Sequence, residues 1–129
     1  MRKTAWSFPA MQAAVLLAGA AVVSAHADSL PGEKIYKQHC AACHAIAPDA
    51  PMGMGPNLRG IVGRDAGKVP GYSYSPAFKK ALAGERWTPQ LLDKWLEQPQ
   101  SVAQGTYMMY QQPDAAVRAA VIEYLVTVK

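Results

Sequence analysis

Cys40, Cys43 and His44 are the residues whose types and spacing carry chemistry, in the run Cys40-Ala41-Ala42-Cys43-His44. Two thiols three positions apart, with an imidazole directly after the second, form the C-x-x-C-H pattern of covalent haem attachment. On a helical turn the i and i+3 side chains emerge on one face, so both sulfurs can reach the two vinyl groups of one porphyrin edge. His44 then lies under the ring, placed to give a neutral imidazole nitrogen to the iron. The chain has two cysteines and both are in this run, so no thiol is left for a disulfide. Plainer readings exist. A redox dithiol wants a strand-to-helix setting of the thioredoxin type, which the flanking sequence does not offer. A structural zinc needs four ligands, and beyond these three only His39 is near, in an awkward position for the same ion. Haem attachment is the reading these residues favour.

The compartment sharpens it. Arg2 and Lys3 precede a stretch from Thr4 to Ala25 that carries no charge and is rich in Ala, Val and Leu. That order is the n-region and h-region of a secretory signal, and Ala25-His26-Ala27 fits its cleavage site, so residues 1–27 are expected to be a cleaved signal peptide and 28–129 one mature domain. The apolar run approaches the length of a retained membrane anchor, but Pro9, Gln12 and Gly19 dilute it. Taking 27 residues from 129 leaves 102, near the size at which a core gains from outside help. A buried porphyrin supplies such help as apolar surface. Of 13 basic and 9 acidic residues the signal carries two basic ones, so the mature charge is +2. That is too mild for nucleic acid or a strongly anionic membrane surface. Export to an oxidising compartment with no spare cysteine fits thiols consumed as thioethers.

The elements that must position this turn read as helices. Leu30-Pro31-Gly32 begins a first helix with Pro31 suited to its first turn, and Ile35, Tyr36, His39, Cys40 and Cys43 recur at helical intervals. From Ala47 to Tyr74 the chain is crowded with Pro and Gly and has no sustained period. A loop that long needs a task, and lining a cofactor is one. Ser75-Pro76 and Thr88-Pro89 read as N-caps followed by a first helical residue. They open a helix through Ala83, ended by Gly84, and a helix with Leu91, Leu92, Trp95 and Leu96 on one face that stops before Pro99. Gln98 to Gln112 reads as loop. Pro113-Asp114 then opens a last helix striped by Val117, Val121, Tyr124, Leu125 and Val128. No segment alternates as a strand and no repeat or linker divides the chain, so the expected class is all-α, with four or so helices and long ordered loops around one haem.

An imidazole below the iron leaves a second axial position. His39 is tethered on the proximal side by its place before Cys40, so thioether sulfur remains, from Met52, Met54, Met108 or Met109.

Over most of residues 30–128 the chain resembles the class I c-type cytochromes, mitochondrial cytochrome c and its small bacterial relatives in particular. The resemblance rests on motifs in order. They are Gly32-Glu33-Lys34-Ile35-Tyr36 before the C-x-x-C-H run, Gly55-Pro56-Asn57-Leu58-Arg59-Gly60-Ile61-Val62-Gly63-Arg64, Gly71-Tyr72-Ser73-Tyr74-Ser75, Trp87 with Leu91 and Trp95, Gly105-Thr106-Tyr107-Met108, and Val121-Ile122-Glu123-Tyr124-Leu125. The resemblance implies haem c on Cys40 and Cys43, with His44 as proximal and Met108 as distal iron ligand. It implies that Pro56 offers its carbonyl to the other nitrogen of His44, and that Arg64, Tyr74 and Trp87 serve the haem propionates. Trp95 stands where the family usually has a tyrosine against the haem. Gly32, Tyr36, Val121 and Tyr124 match the crossing of first and last helices. Three departures stand out: Gln104 replaces a usual proline, Tyr107 a usual lysine, and Phe78 lies near a usual polar residue of the haem pocket.

The function so implied is that of a soluble periplasmic electron carrier, not an enzyme, with one low-spin haem passing single electrons between donor and acceptor proteins. Methionine ligation raises the potential relative to two histidines. Docking is expected to be transient and electrostatic, with Lys34, Lys37, Lys79, Lys80 and Lys94 as a loose positive collar. The chain is expected to be a monomer, with no nucleic-acid partner and no stable membrane insertion after cleavage. Two other readings remain open: a haem subunit dedicated to a dehydrogenase or oxidase, and a haem enzyme or sensor with a labile Met108.

Overall fold

Gly32 sits where two helices cross so closely that a side chain at that position would collide with the Ala120 carbonyl and the Tyr124 side chain. The two helices are α1 (Gly32–His39) and α5 (Ala115–Thr127), and α5 also packs against α3 (Pro89–Glu97). α2 (Pro76–Ala81) and the single turn α4 (Pro99–Val102) complete the set, so the expected all-α class holds, with an isolated antiparallel bridge between Asp65 and Arg86 as the one extended pairing among the described residues. The structure, a computed structural model, describes residues 31–129. The expected signal peptide, residues 1–27, lies outside them. Among the described residues no helix is long and apolar enough to cross a membrane.

Three helices, α2, α3 and α5, begin where the sequence supplies a side-chain acceptor for unpaired N–H groups. The Ser75 hydroxyl accepts from Phe78 N at 3.0 Å and the Thr88 hydroxyl from Leu91 N at 3.1 Å, with proline next in both cases. Asp114 accepts from Ala116 N and Val117 N, and its charge also suits the positive end of α5. Three boundaries differ from expectation. Pro31 has an extended ψ of 105° and caps α1 from outside, its carbonyl accepting from Lys34 N and Ile35 N. α2 ends at Ala81 rather than Ala83, with the chain turning through Gly84 at φ 76°. The stretch after Gln98 is not all loop, because Pro99 opens the short turn α4.

The core runs along the inside of α1, α2, α3 and α5. Ile35 and Tyr36, Phe78 and Leu82, Leu92, Trp95 and Leu96, and Val121, Ile122 and Leu125 are all buried, joined by Trp87 from the loop before α3. Trp87 is pinned by its backbone, its N–H donating to Arg64 O at 2.9 Å and its carbonyl accepting from Gly63 N at 2.7 Å. Of these side chains Phe78, Trp87, Leu92, Trp95, Leu96, Val121 and Leu125 also border a cavity of about 370 Å³.

Candidate functional site

The C-x-x-C-H run forms the floor of that cavity. α1 ends at His39 with Cys40 as its C-cap, still in the right-handed region at φ −112° and ψ −36°, and a tight turn follows in which Cys43 N and His44 N both donate to Cys40 O, at 3.0 and 2.9 Å. Cys40, Cys43 and His44 all border the cavity, and both thiols are free and partly buried. Burial, with a smaller contribution from Cys43, pushes the Cys40 thiol up to about 11. A thiol so held is a poor thiolate, which is opposite to what dithiol redox chemistry requires. Among the described residues no three His, Cys, Asp or Glu side chains gather to hold a metal ion, so the zinc reading finds no cluster.

His44 is fixed on three sides. Its Nδ1 lies 2.8 Å from the carbonyl of Pro56. A carbonyl only accepts, so Nδ1 carries the proton and Nε2 keeps its lone pair. The His44 carbonyl accepts from the Tyr36 hydroxyl at 2.6 Å. Gly55 is buried against the imidazole, where any side chain would strike the ring. Burial lowers the His44 pKa below its ordinary 6.5, and the Pro56 bond opposes that only in part. The imidazole is thus neutral, oriented and basic at one nitrogen, which is what a metal ligand must be.

Met108 reaches the same cavity from the loop between α4 and α5. The indole Nε1 of Trp95 donates to its sulfur at 3.1 Å. Met54 and Met109 also border the cavity but are 75% and 76% exposed, at its mouth. Met52 is exposed and does not border it. Of the four methionines, Met108 alone has a partly buried side chain packed on the core.

The remaining wall is aromatic. Tyr74 stacks on Phe78 with ring centroids 4.7 Å apart, Phe78 meets Trp95 edge-on at 5.4 Å, and Trp95 meets Trp87 at 5.7 Å. The structure brings Cys40, Cys43, His44, Pro56, Tyr74, Trp87, Trp95 and Met108 to one cavity and leaves Arg64 just outside it. The Arg64 guanidinium instead donates to the carbonyls of Asn57 at 2.9 Å and Arg59 at 3.0 Å. Burial lowers its pKa, while the Tyr74 phenol favours its charge. Among the described residues no Lys, Arg, Asp or Glu borders the cavity, so charge in it is felt at low effective dielectric.

Three contacts have little or no signal in the sequence. Gly55 belongs to a quoted motif, but its packing on His44 needs the fold. The Tyr36 hydroxyl bond to His44 joins residues eight apart. Gln100 binds the main chain around Met108 from a position with no motif at all.

The site fits a flat, largely apolar prosthetic group: two thiols and a neutral imidazole on one floor, a thioether from a separate loop, and aromatic walls. Comparison with known proteins agrees. Residues 27–125 match a family model described as cytochrome c oxidase, cbb3-type, subunit III. The cytochrome c2 of Rhodomicrobium vannielii is 40% identical over 121 residues, 88% of this chain and 93% of that protein. The cytochrome c2 of Rhodopila globiformis is 42% identical over 103 residues, 79% of this chain and 94% of that protein. The solved structure of cytochrome c2 from Rhodospirillum centenum superposes with a TM-score of 0.70 at 34% identity, covering 76% of this chain and 95% of that one. The chain belongs to the class I c-type cytochromes.

Proposed function

We propose that this cytochrome carries single electrons between periplasmic redox partners, with haem c joined through thioethers to Cys40 and Cys43 and held by His44 and Met108. Electron transfer with covalent haem c, rather than catalysis, is the function its family membership gives it. The residue assignment rests on one observation: a neutral His44 with Nδ1 locked on Pro56 and a Met108 sulfur locked on Trp95 border the same cavity.

Bound there, the haem iron supplies the one-electron chemistry. The chain's own residues do the rest. Pro56 and Gly55 hold the His44 ring in one tautomer and one plane. Phe78, Trp87 and Trp95 exclude water from the cavity, and a dry wall disfavours the form of the site with the greater charge. Tyr74 and Trp87 stand ready to meet the haem carboxylates, with Arg64 behind Tyr74. With His44 and Met108 both given to the haem, no side chain of this site would be left to hold a substrate.

Residues 1–27 are read as the signal that exports the mature domain to the periplasm, and the mature domain is read as a monomer. Lys34, Lys37, Lys79, Lys80 and Lys94 are exposed and none borders the cavity, whose mouth carries Met54, Tyr107 and Met109. The lysines then steer partners from a distance while close contact at the mouth is apolar. The reading of a dedicated oxidase subunit is not favoured, because relatives matched over more than nine-tenths of their own length are named cytochrome c2. Mass spectrometry of the exported protein tests the assignment. It should show one haem that survives denaturation, lost when Cys40 and Cys43 are both replaced; intact thiols would end it.

A further inference from the structure

Gln100, in α4, spends its whole side-chain amide on the loop that carries Met108. Its Oε1 accepts from Gly105 N at 2.9 Å, and its Nε2 donates to Thr106 O at 2.9 Å and Met108 O at 3.2 Å. Met109 Sδ lies 3.4 Å from the same nitrogen. Among the described residues, the main chain from Tyr107 to Gln111 receives no other hydrogen bond. The next anchors are Thr106 N on Ala103 O at one end and Gln112 N on Leu96 O at the other.

The residues around this loop explain why it needs a clamp. Between Pro99 and Pro113 there is no proline, and Gly105 turns the chain at φ 91°. Position 104, where the family usually has proline, is glutamine. A loop with free φ angles and no main-chain ladder loses conformational entropy when one of its residues must stay in one place. We propose that Gln100 is the positioning residue for Met108, supplying through a side-chain clamp the stiffness that a proline at position 104 would supply through the backbone. Trp95 holds the sulfur; Gln100 holds the backbone that delivers it. The proposal rests on the reading of Met108 as distal ligand.

The structure also permits the exchange of one device for the other. Gln104 N donates to no other main-chain or side-chain group among the described residues, and its φ is not positive. Ala103 before it, at φ −141° and ψ 85°, already lies outside the α region that proline disfavours in the residue preceding it. Gln104→Pro therefore removes no hydrogen bond and does not have to pull Ala103 out of helical geometry.

The test uses the ferric holoprotein and imidazole as probe, since imidazole binds iron only when the methionine has left. Gln100→Ala should bind imidazole at least tenfold more tightly than wild type, weaken the red absorption band of iron–methionine ligation, and speed amide exchange locally at residues 105–109. Gln100→Glu, of the same shape, keeps the acceptor but turns an oxygen on two carbonyls, and should act in the same direction even if the alanine variant folds poorly. Adding Gln104→Pro to Gln100→Ala should bring the imidazole affinity back to within about threefold of wild type. If Gln100→Ala and Gln100→Glu leave imidazole affinity unchanged while Met108→Ala raises it strongly, the clamp is overturned and the ligand stands. If Met108→Ala itself changes neither band nor affinity, both fall together.

Discussion

Trp95 and Met108 are joined by an indole N–H to thioether sulfur hydrogen bond of 3.1 Å, inside a cavity that no charged side chain borders. A donor on the sulfur draws electron density from the lone pair that a ferric iron needs more than a ferrous one. The bond therefore favours the reduced state. Trp95→Phe removes the donor and keeps a ring. If a hydrogen bond of about 1 kcal/mol were made wholly in one redox state, the midpoint would shift by roughly 40 mV, from about 59 mV per tenfold for one electron. Redox titration should show a fall of about 10–40 mV; an unchanged or higher midpoint would mean the bond does not discriminate between the two states.

Phe78 bears on the same quantity by a different route. It is 6% exposed, stacked on Tyr74 and edge-on to Trp95. Phe78→Asn brings a dipole and room for water to the wall, which favours the more highly charged ferric site. A midpoint lower by tens of millivolts is expected, together with a stability loss of about 2–4 kcal/mol from the shortened core residue. Redox titration alongside denaturant melts checks both. A markedly higher potential would contradict the view that an apolar wall supports the reduced state.

A side chain at Gly55 would meet the His44 ring. Gly55→Ala should displace the imidazole or the loop carrying Pro56, lowering stability by about 1–3 kcal/mol as overpacking does and cutting the yield of haem-loaded protein. Thermal unfolding and haem content per polypeptide measure this. Full loading with an unshifted melting temperature would show that the ring is not confined there.

The rim has its own consequence. Tyr107 is 65% exposed at the mouth between Met54 and Met109, in the place of a usual lysine. With steering left to distant lysines, association rates with an acidic partner should fall only modestly with rising salt, and Tyr107→Lys should steepen that fall. Stopped-flow rates at several ionic strengths decide it; a steep dependence in the wild type would place charge at the contact itself.

Much of this was legible in the residues. The C-x-x-C-H run, the Ser75 and Thr88 caps and the start of the last helix at Asp114 are local signals, each tied to geometry that short sequence fixes, while the Gly32 crossing was legible only through the resemblance. What was not legible depends on partners brought together by folding. Arg118 lies outside the Val117, Val121, Tyr124, Leu125 and Val128 stripe of α5, yet it is buried, pairing with Asp93 at 2.7 Å and donating to the carbonyls of Gln112 and Pro113 at 3.0 and 2.9 Å. An arginine off the stripe reads as a solvated charge, with no hint that it ties down the far end of the Met108 loop. Gln100 was hidden for the same reason, since a polar residue in a polar stretch reads as solvated. The carbonyls of Asn57 and Arg59 that hold the Arg64 guanidinium were likewise invisible, because only the folded loop brings them within its reach.

The central claim is that His44 and Met108 clasp one iron from two separate segments. It is tested most directly by the ferric visible spectrum of the mature holoprotein beside Met108→Ala and Met109→Ala. The red band of iron–sulfur ligation should be present in the wild type and in Met109→Ala and absent from Met108→Ala. A band that survives in Met108→Ala, or vanishes in Met109→Ala alone, would contradict it.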